Sequence, residues 1–268
     1  MNFIYLFLVY LAFLSSNVIT ADKSIVVESL DSEYQKKLLK KVGEVLPELA
    51  SYPFYTYPNN GHELVMERFP NEKVLLFGYG SLMNKESASR SMGPDALNSM
   101  YPAIAFGVKR MFNYKAKKTE HWGENQDIKE KAMLNVVQTL NMSSIANGVV
   151  VEVDLEDFTR LVQRETGYDL VPVLIGAWKN IEEQDPDVEI RVAYTFAAAH
   201  ELRDHIDYTS TEFYPVRGYL HAVQDATKAY GDVFATMWNA TTFLADGTTS
   251  INDWDEQTFD GILCTGKR

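Results

Sequence analysis

Two short segments of this chain carry residue types that can do chemistry together. The first is Gly78-Tyr79-Gly80-Ser81-Leu82, directly after the apolar run Val74-Leu75-Leu76-Phe77. Two glycines around one tyrosine let the backbone turn tightly. Successive N–H groups in such a turn face one concavity, which suits a carboxylate or an oxyanion. Donors held there stabilise developing negative charge without a metal. The second is Glu165, at the end of Asp154–Glu165. Leu155, Phe158, Leu161 and Val162 recur there at helical spacing, so a helix carries them as one apolar stripe. Glu165 falls four residues after Leu161 and three after Val162, which puts its carboxylate on the same stripe. Desolvation there raises a carboxyl pKa toward the range in which it exchanges protons near neutrality. The alternative is a helix-end glutamate turning to solvent at Thr166-Gly167.

Other motifs are weaker. Met83 stands where a dinucleotide-binding fingerprint needs its third glycine. Tyr79 occupies the position where a nucleophile elbow needs glycine, so Ser81 reads as a hydrogen-bonding residue. His200 and His205 are five apart, which separates them on a helix and argues against a zinc pair. Asp246-Gly247 and Asn252–Glu256 lack the alternating register of a calcium loop. Arg110 and Arg90 follow the strand and helix near the glycine turn; surface ion pairs are expected for them, with bidentate binding of a substrate carboxylate as the alternative.

These groups need a scaffold, and strands dominate the pattern. Val74–Phe77, Ala103–Val108, Leu134–Leu140, Gly148–Val153, Val171–Ala177 and Glu189–Phe196 read as strands, several rich in Val and Ile. Helices are expected over Lys85–Met92, Leu155–Glu165 and Tyr214–Ala229, and the polar stretch Lys115–Lys131 reads as a surface loop. The fold class expected is α+β, a mixed, barrel-like β-sheet core with flanking helices. Before it, Asp31 caps a helix with Tyr34, Leu38, Val42, Val45, Leu46 and Leu49 on one face. Lys36, Lys37, Lys40 and Lys41 face solvent, and Pro47 disturbs the last turn. Residues 51–71 read as a connecting loop and Asn239–Arg268 as a loosely packed tail.

The chain has 268 residues and a formal net charge of −12, so a phosphate backbone is not an expected partner. The apolar stretch over residues 3–14 is short for a membrane span, and small or polar residues follow it. It reads as a secretory signal peptide cleaved after Ala21. With no Lys or Arg ahead of the apolar run, an uncleaved anchor is the alternative. Cys264 is the sole cysteine, so no intrachain disulfide can form. Asn141-Met142-Ser143 and Asn239-Ala240-Thr241 are glycosylation sequons.

The block Phe77-Gly78-Tyr79-Gly80-Ser81-Leu82 resembles the signature loop of the γ-glutamylcyclotransferase-like family. Gln163-Arg164-Glu165-Thr166-Gly167-Tyr168 resembles the segment carrying that family's acid/base glutamate. Val192-Ala193-Tyr194-Thr195-Phe196 is similar to a strand with a site tyrosine. Pro215-Val216-Arg217-Gly218-Tyr219 is similar to a helix supplying another. The resemblance covers residues 73–234, between an N-terminal extension (22–72) and a C-terminal extension (235–268). It implies cyclisation of a small γ-glutamyl substrate to 5-oxoproline, with no metal or organic cofactor. Glu165 would be the acid/base; Tyr79, Gly80, Ser81, Leu82, Tyr168, Tyr194 and Tyr219 would bind substrate. A non-enzymatic binding protein on this fold, or a glutathione-specific enzyme, is the alternative.

The leader predicts a mature chain that begins at Asp22. N-terminal sequencing of protein exported from eukaryotic cells checks this, and a chain retaining Met1 on membranes identifies the anchor instead.

Overall fold

Strand β1, Val74–Gly78, pairs antiparallel with β5, Ile145–Val153, from Val74 opposite Val153 to Gly78 opposite Val149. β5 pairs with β2, Tyr101–Phe106, and β2 with β6, Tyr168–Ala177, both antiparallel. β6 continues antiparallel to β7, Ile190–Ala198, which returns parallel to β1 with Leu76 opposite Tyr194. The five strands form a closed barrel. β5 is buried at every residue but Glu152. Its continuous apolar run reflects cover on both faces, by the barrel interior and by surrounding elements. The expected α+β architecture with a barrel-like sheet is what the chain adopts. The computed structural model describes residues 31–57, 73–115, 130–139, 141–198, 209–211 and 213–254. The leader, residues 58–72 of the connecting loop, residues 116–129 of the polar loop, the His200/His205 pair, Cys264 and the tail from 255 lie outside them.

A second sheet runs β8-β4-β3-β9. β3 is Val108–Lys115, β4 Glu130–Gln138, β8 Tyr214–Pro215 and β9 Thr242–Phe243. Sequence patterning read Ala103–Val108 as one strand, but the chain changes sheet at Gly107, whose φ of +69° suits glycine. β3 then buries Val108, Arg110, Phe112 and Tyr114 in strict alternation.

Helix α1, Ser32–Leu49, is capped by Asp31, which accepts from the Glu33 and Tyr34 amides, and it buries Tyr34, Leu38 and Val42. Lys41 is half-buried and donates to the Val188 carbonyl at 3.3 Å. Pro47 is accommodated, because the helix continues to Leu49. Tyr55 is fully buried and exchanges two backbone hydrogen bonds with Leu170, so residues 51–57 are pinned to the barrel.

The helix expected over Lys85–Met92 is one turn, α2, Lys85–Ala88. α3, Pro94–Ser99, and α5, Trp178–Glu182, were not anticipated. α4 is Leu155–Arg164. The helix expected from Tyr214 begins at Arg217 as α6, Arg217–Lys228, because Tyr214-Pro215 pairs with β4. α7, Asp232–Ala240, follows Gly231.

The loosely packed tail is corrected for residues 239–254. Ala240, Thr241, Thr242, Leu244, Ala245, Ser250 and Ile251 are buried, and Thr242 pairs opposite Arg110. Just ahead of them, Trp238 packs edge-on to Phe112 at 6.4 Å. The composition was polar because threonine hydroxyls here serve a buried partner. Arg110 is that partner, and its expected surface ion pair is also corrected. It is fully buried and donates to Thr242 Oγ1, Thr241 Oγ1, the Trp238 carbonyl, and both the side chain and carbonyl of Asn147. Its guanidinium lies 4.8 Å from the Trp238 ring. Among the described residues no helix is long and apolar enough to cross a membrane.

Trp238→Ala is expected to cost about 3–5 kcal/mol of unfolding free energy, as for other large core truncations. Urea denaturation measures this, and a loss under about 1 kcal/mol would show that the C-terminal segment does not share the core.

Candidate active site

The turn after β1 is built as the residues required. Gly80 is buried and leads into a 3-10 turn, Ser81–Met83, closed by the Met83 and Asn84 amides on the Gly80 and Ser81 carbonyls. A Cβ at Gly80 would meet the Tyr219 hydroxyl at 2.5 Å, so only glycine lets that tyrosine approach. The Ser81 amide donates to the Tyr219 oxygen. This modifies the expected cradle, because the Ser81 amide is already engaged by Tyr219. Leu82 is buried in the core and packs over Gly78.

Helix α4 delivers Glu165 to the same region. Asp154 caps the helix by accepting from the Asp157 amide at 2.9 Å. Asp157 accepts from the Gly93 amide at 2.7 Å, and Arg160 bridges Glu156, Asp157 and the Ser91 carbonyl. These contacts fix α4 on the segment after the glycine turn. Glu165 is the C-cap, with φ −90° and ψ 63°, and its side chain is 19 % exposed. It does not swing to solvent. Burial pushes its carboxyl above the usual carboxylate range, and the neighbouring Arg164 pulls it partly back. Arg164 Nε lies 3.3 Å from Glu165 Oε1.

Tyrosines surround this carboxylate. Tyr79 spans from β1 to the other sheet; its hydroxyl donates to the Phe196 carbonyl at 2.7 Å and accepts from the Val136 amide. Tyr168, at the start of β6, donates to the Leu134 carbonyl at 3.0 Å and stacks on Tyr114 at 4.3 Å. Tyr114 donates to the Thr166 carbonyl, one residue past Glu165, at 2.7 Å. Tyr79, Tyr168 and Tyr219 are all buried, and desolvation raises their pKa values first; neighbouring hydroxyls and the Glu165 charge add to it at Tyr79 and Tyr168, and the Glu165 charge alone at Tyr219. They stay neutral donors over any physiological range. Arg110 lies behind Tyr79 and Tyr219; burial lowers its own pKa, and its charge opposes the rise at Tyr219.

Thus the fold brings Tyr79, Tyr168 and Tyr219 around Glu165, with Gly80 against the Tyr219 hydroxyl and Ser81 linked to the carboxylate through Arg164; Leu82 is packed in the adjoining core. Tyr194 is placed elsewhere. It is buried on β7 beneath Tyr52 and Tyr55, at 5.9 and 5.6 Å between ring centroids. It lines a separate cavity of about 320 Å³ with Glu48, Lys73 and Arg191. Sequence reasoning did not find Tyr114, Arg110 or Arg164 as members of the site region. The signal for the first two was the alternation 108, 110, 112, 114, hidden by reading Ala103–Val108 as one strand. Among the described residues no group of three or more His, Cys, Asp or Glu side chains is arranged to hold a metal.

No protein-family model matches the chain, and no curated protein sequence matches it. Solved structures do resemble it. A γ-glutamyl cyclotransferase specific to glutathione from yeast is 14% identical, over 64% of this chain and 96% of that one, with a TM-score of 0.43. A further γ-glutamyl cyclotransferase is 13% identical, over 73% of this chain and 100% of that one, with a TM-score of 0.42. YkqA from Bacillus subtilis is 13% identical, over 66% of this chain and 56% of that one, with a TM-score of 0.43. These are likenesses at low identity; the chemistry rests on the site itself.

Two outcomes follow from this geometry. Gly80→Ala is expected to cost about 1–3 kcal/mol through overpacking against Tyr219. Adding Tyr219→Phe, which removes the clashing oxygen, restores part of that loss; a double-mutant cycle with no coupling would contradict the close approach. The second concerns pH. The folded pKa of Glu165 lies above its unfolded value of 4.5, so the native state binds more protons between the two. Stability is therefore lost as pH rises through that window. Glu165→Gln is expected to match the wild type in acid and exceed it at neutral pH. A variant that loses stability relative to wild type on raising the pH would show the carboxylate is favourably housed.

Proposed function

We propose that the chain is a γ-glutamylcyclotransferase-type enzyme, converting a γ-glutamyl amino acid, amine or peptide to 5-oxoproline and the free amine. One observation carries the reading. A desolvated carboxylate, Glu165, faces a glycine turn, Tyr79–Leu82, across a group of neutral buried tyrosine hydroxyls. That pairing is suited to a reaction that moves a proton between nitrogens while negative charge grows on one oxygen.

A γ-glutamyl compound holds its nucleophile and electrophile in one molecule. Glu165 as carboxylate takes a proton from the α-ammonium, and the freed amine forms a bond to the γ-carbonyl carbon. The carbonyl oxygen becomes an oxyanion, received by the Tyr219 hydroxyl and the amides of the turn. A well-placed donor of this kind is worth about 3–4 kcal/mol. Glu165, now a carboxylic acid, returns the proton to the departing nitrogen. The old C–N bond breaks as the oxyanion collapses to a carbonyl, and the ring nitrogen gives up its second hydrogen as a proton, which Glu165 passes to the released amine, closing the neutral lactam. Atoms and charge balance without a further reactant. The site must also fold the substrate into a five-membered ring, an alignment that can supply several orders of magnitude in rate. Tyr168 and Tyr114 wall the carboxylate, and Tyr79 holds β1 to the opposite sheet. Burial raises the Glu165 pKa and Arg164 draws it partly back; the net direction is the one that moves a carboxyl toward both taking and returning a proton.

The reading extends to location. With the leader at Met1–Ala21, we place the protein in the secretory route, where γ-glutamyl peptides or γ-glutamyl-ε-lysine from crosslinked proteins fit better than a cytosolic pool. Of the two sequons, Asn141 lies on the turn between β4 and β5, where it accepts from the Ser143 amide and hydroxyl. Thr241 of the other is buried and donates to the Met237 carbonyl. Asn141 is the better acceptor of glycan.

The purified full chain is expected to release 5-oxoproline from at least one of a panel of γ-glutamyl amino acids, γ-glutamyl amines and glutathione. Glu165→Gln, folded by circular dichroism, should lower the rate by about 10²- to 10⁴-fold. Binding of the panel without 5-oxoproline would make the chain a binding protein on this fold.

A further inference from the structure

Arg164 is the last residue of α4. Its side chain is 25 % exposed, yet its guanidinium is heavily engaged. Nη2 donates to Ser81 Oγ at 2.8 Å and to Ser87 Oγ at 3.0 Å. Nη1 donates to the Ser87 carbonyl at 2.8 Å and to Ser91 Oγ at 3.2 Å. Nε, on the third corner, faces Glu165 Oε1 at 3.3 Å. The guanidinium is planar and its donors diverge at fixed angles, so anchoring two nitrogens fixes the direction of the third. A staple between α4 and the segment 81–91 would need only the two Nη groups. The placement of Nε on the carboxylate is a separate feature, and it is the one that touches chemistry.

We propose that Arg164 is a positioning residue, which aims the Glu165 carboxylate and locks it to the glycine turn through Ser81. This rests on reading Glu165 as the proton-transferring group. The Asp157 and Arg160 contacts hold the body of α4 on residues 91–93, but neither reaches the turn after β1 or the carboxylate at the helix end. Through Arg164, one rigid cation sets the separation of that turn and the carboxylate, and Ser81 acquires the role of an anchor. The groups that face Glu165 electrostatically are this arginine and the neutral hydroxyls of Tyr79, Tyr168 and Tyr219. Arg110 acts on two of those tyrosines and belongs to the opposite sheet. Lysine cannot replace Arg164 fully, because a single ammonium cannot bond the serines and aim at the carboxylate together.

The test uses the full chain labelled with carboxyl-¹³C glutamate, with Glu165→Gln assigning the Glu165 resonance. In Arg164→Gln, the Glu165 titration is expected to move to higher pH, and the acid limb of kcat/KM to move with it. The maximal kcat/KM should fall roughly 10- to 100-fold, the scale for losing a hydrogen bond to a charged group. Arg164→Lys keeps the charge and loses the fork, so its titration returns toward the wild type while kcat stays low. Ser81→Ala removes one anchor and shifts the titration in the same direction by less. An unchanged Glu165 titration in folded Arg164→Gln overturns the proposal, whatever the substrate. If that variant does not fold, an unchanged titration in Ser81→Ala overturns it. A shifted titration in a protein that releases no 5-oxoproline upholds the pairing and sinks the cyclotransferase reading instead.

Discussion

The desolvation of one carboxylate organises this structure. Glu165 sits where water reaches only a fifth of its side chain, with one guanidinium beside it and tyrosines around it. An ionised group in such a place lowers stability unless partners compensate. The compensation here is partial, since burial outweighs the arginine and the carboxyl remains above its usual range. That imbalance is costly for folding and useful for proton transfer, a combination that recurs where pKa values are tuned for catalysis. Everything near it is arranged to keep the group both dry and aimed.

The scaffold accomplishes this by bringing two sheets against one another. The closed barrel supplies the turn after β1 and the start of β6; the four-stranded sheet supplies Tyr114 and the carbonyl and amide partners on β4. Tyr79 joins the sheets through the Phe196 carbonyl and the Val136 amide. Asn135 does so again, accepting from the Ala198 amide at 2.7 Å. Behind the tyrosines lies Arg110, a buried cation satisfied by neutral oxygens of Asn147, Trp238, Thr241 and Thr242. The C-terminal segment is therefore tied to the site at one remove.

How much of this was legible in the sequence depended on how local the cause was. The glycine turn, the capped helix at Asp31 and the apolar stripe of α4 are written in contiguous spacing, and each formed where expected, except that Leu155 at the head of the stripe is exposed. The placement of Glu165 followed from the same stripe. Elements set by pairing across the chain were harder. β9 is two residues long and exists because Thr242 lies opposite Arg110; no local pattern marks it. Gly107 divides two strands that share an apolar character, so periodicity ran through the break. Arg110 looked like a surface charge because arginine is rarely buried, and its compensating oxygens lie 37 to 132 residues away in sequence. Tyr194 matched a strand motif, yet it lies beneath Tyr52 and Tyr55 in another cavity.

The most direct test of the account is a crystal structure of the full chain with a glutaryl amide, a γ-glutamyl compound lacking only its α-amine and therefore unable to cyclise. The account predicts the amide carbonyl oxygen against the Gly80–Leu82 turn and the Tyr219 hydroxyl, with the carbon that would bear the amine facing Glu165. A glutaryl group seated in the cavity of Tyr194 and Lys73, or with its carbonyl turned away from Glu165 and the turn, would contradict it.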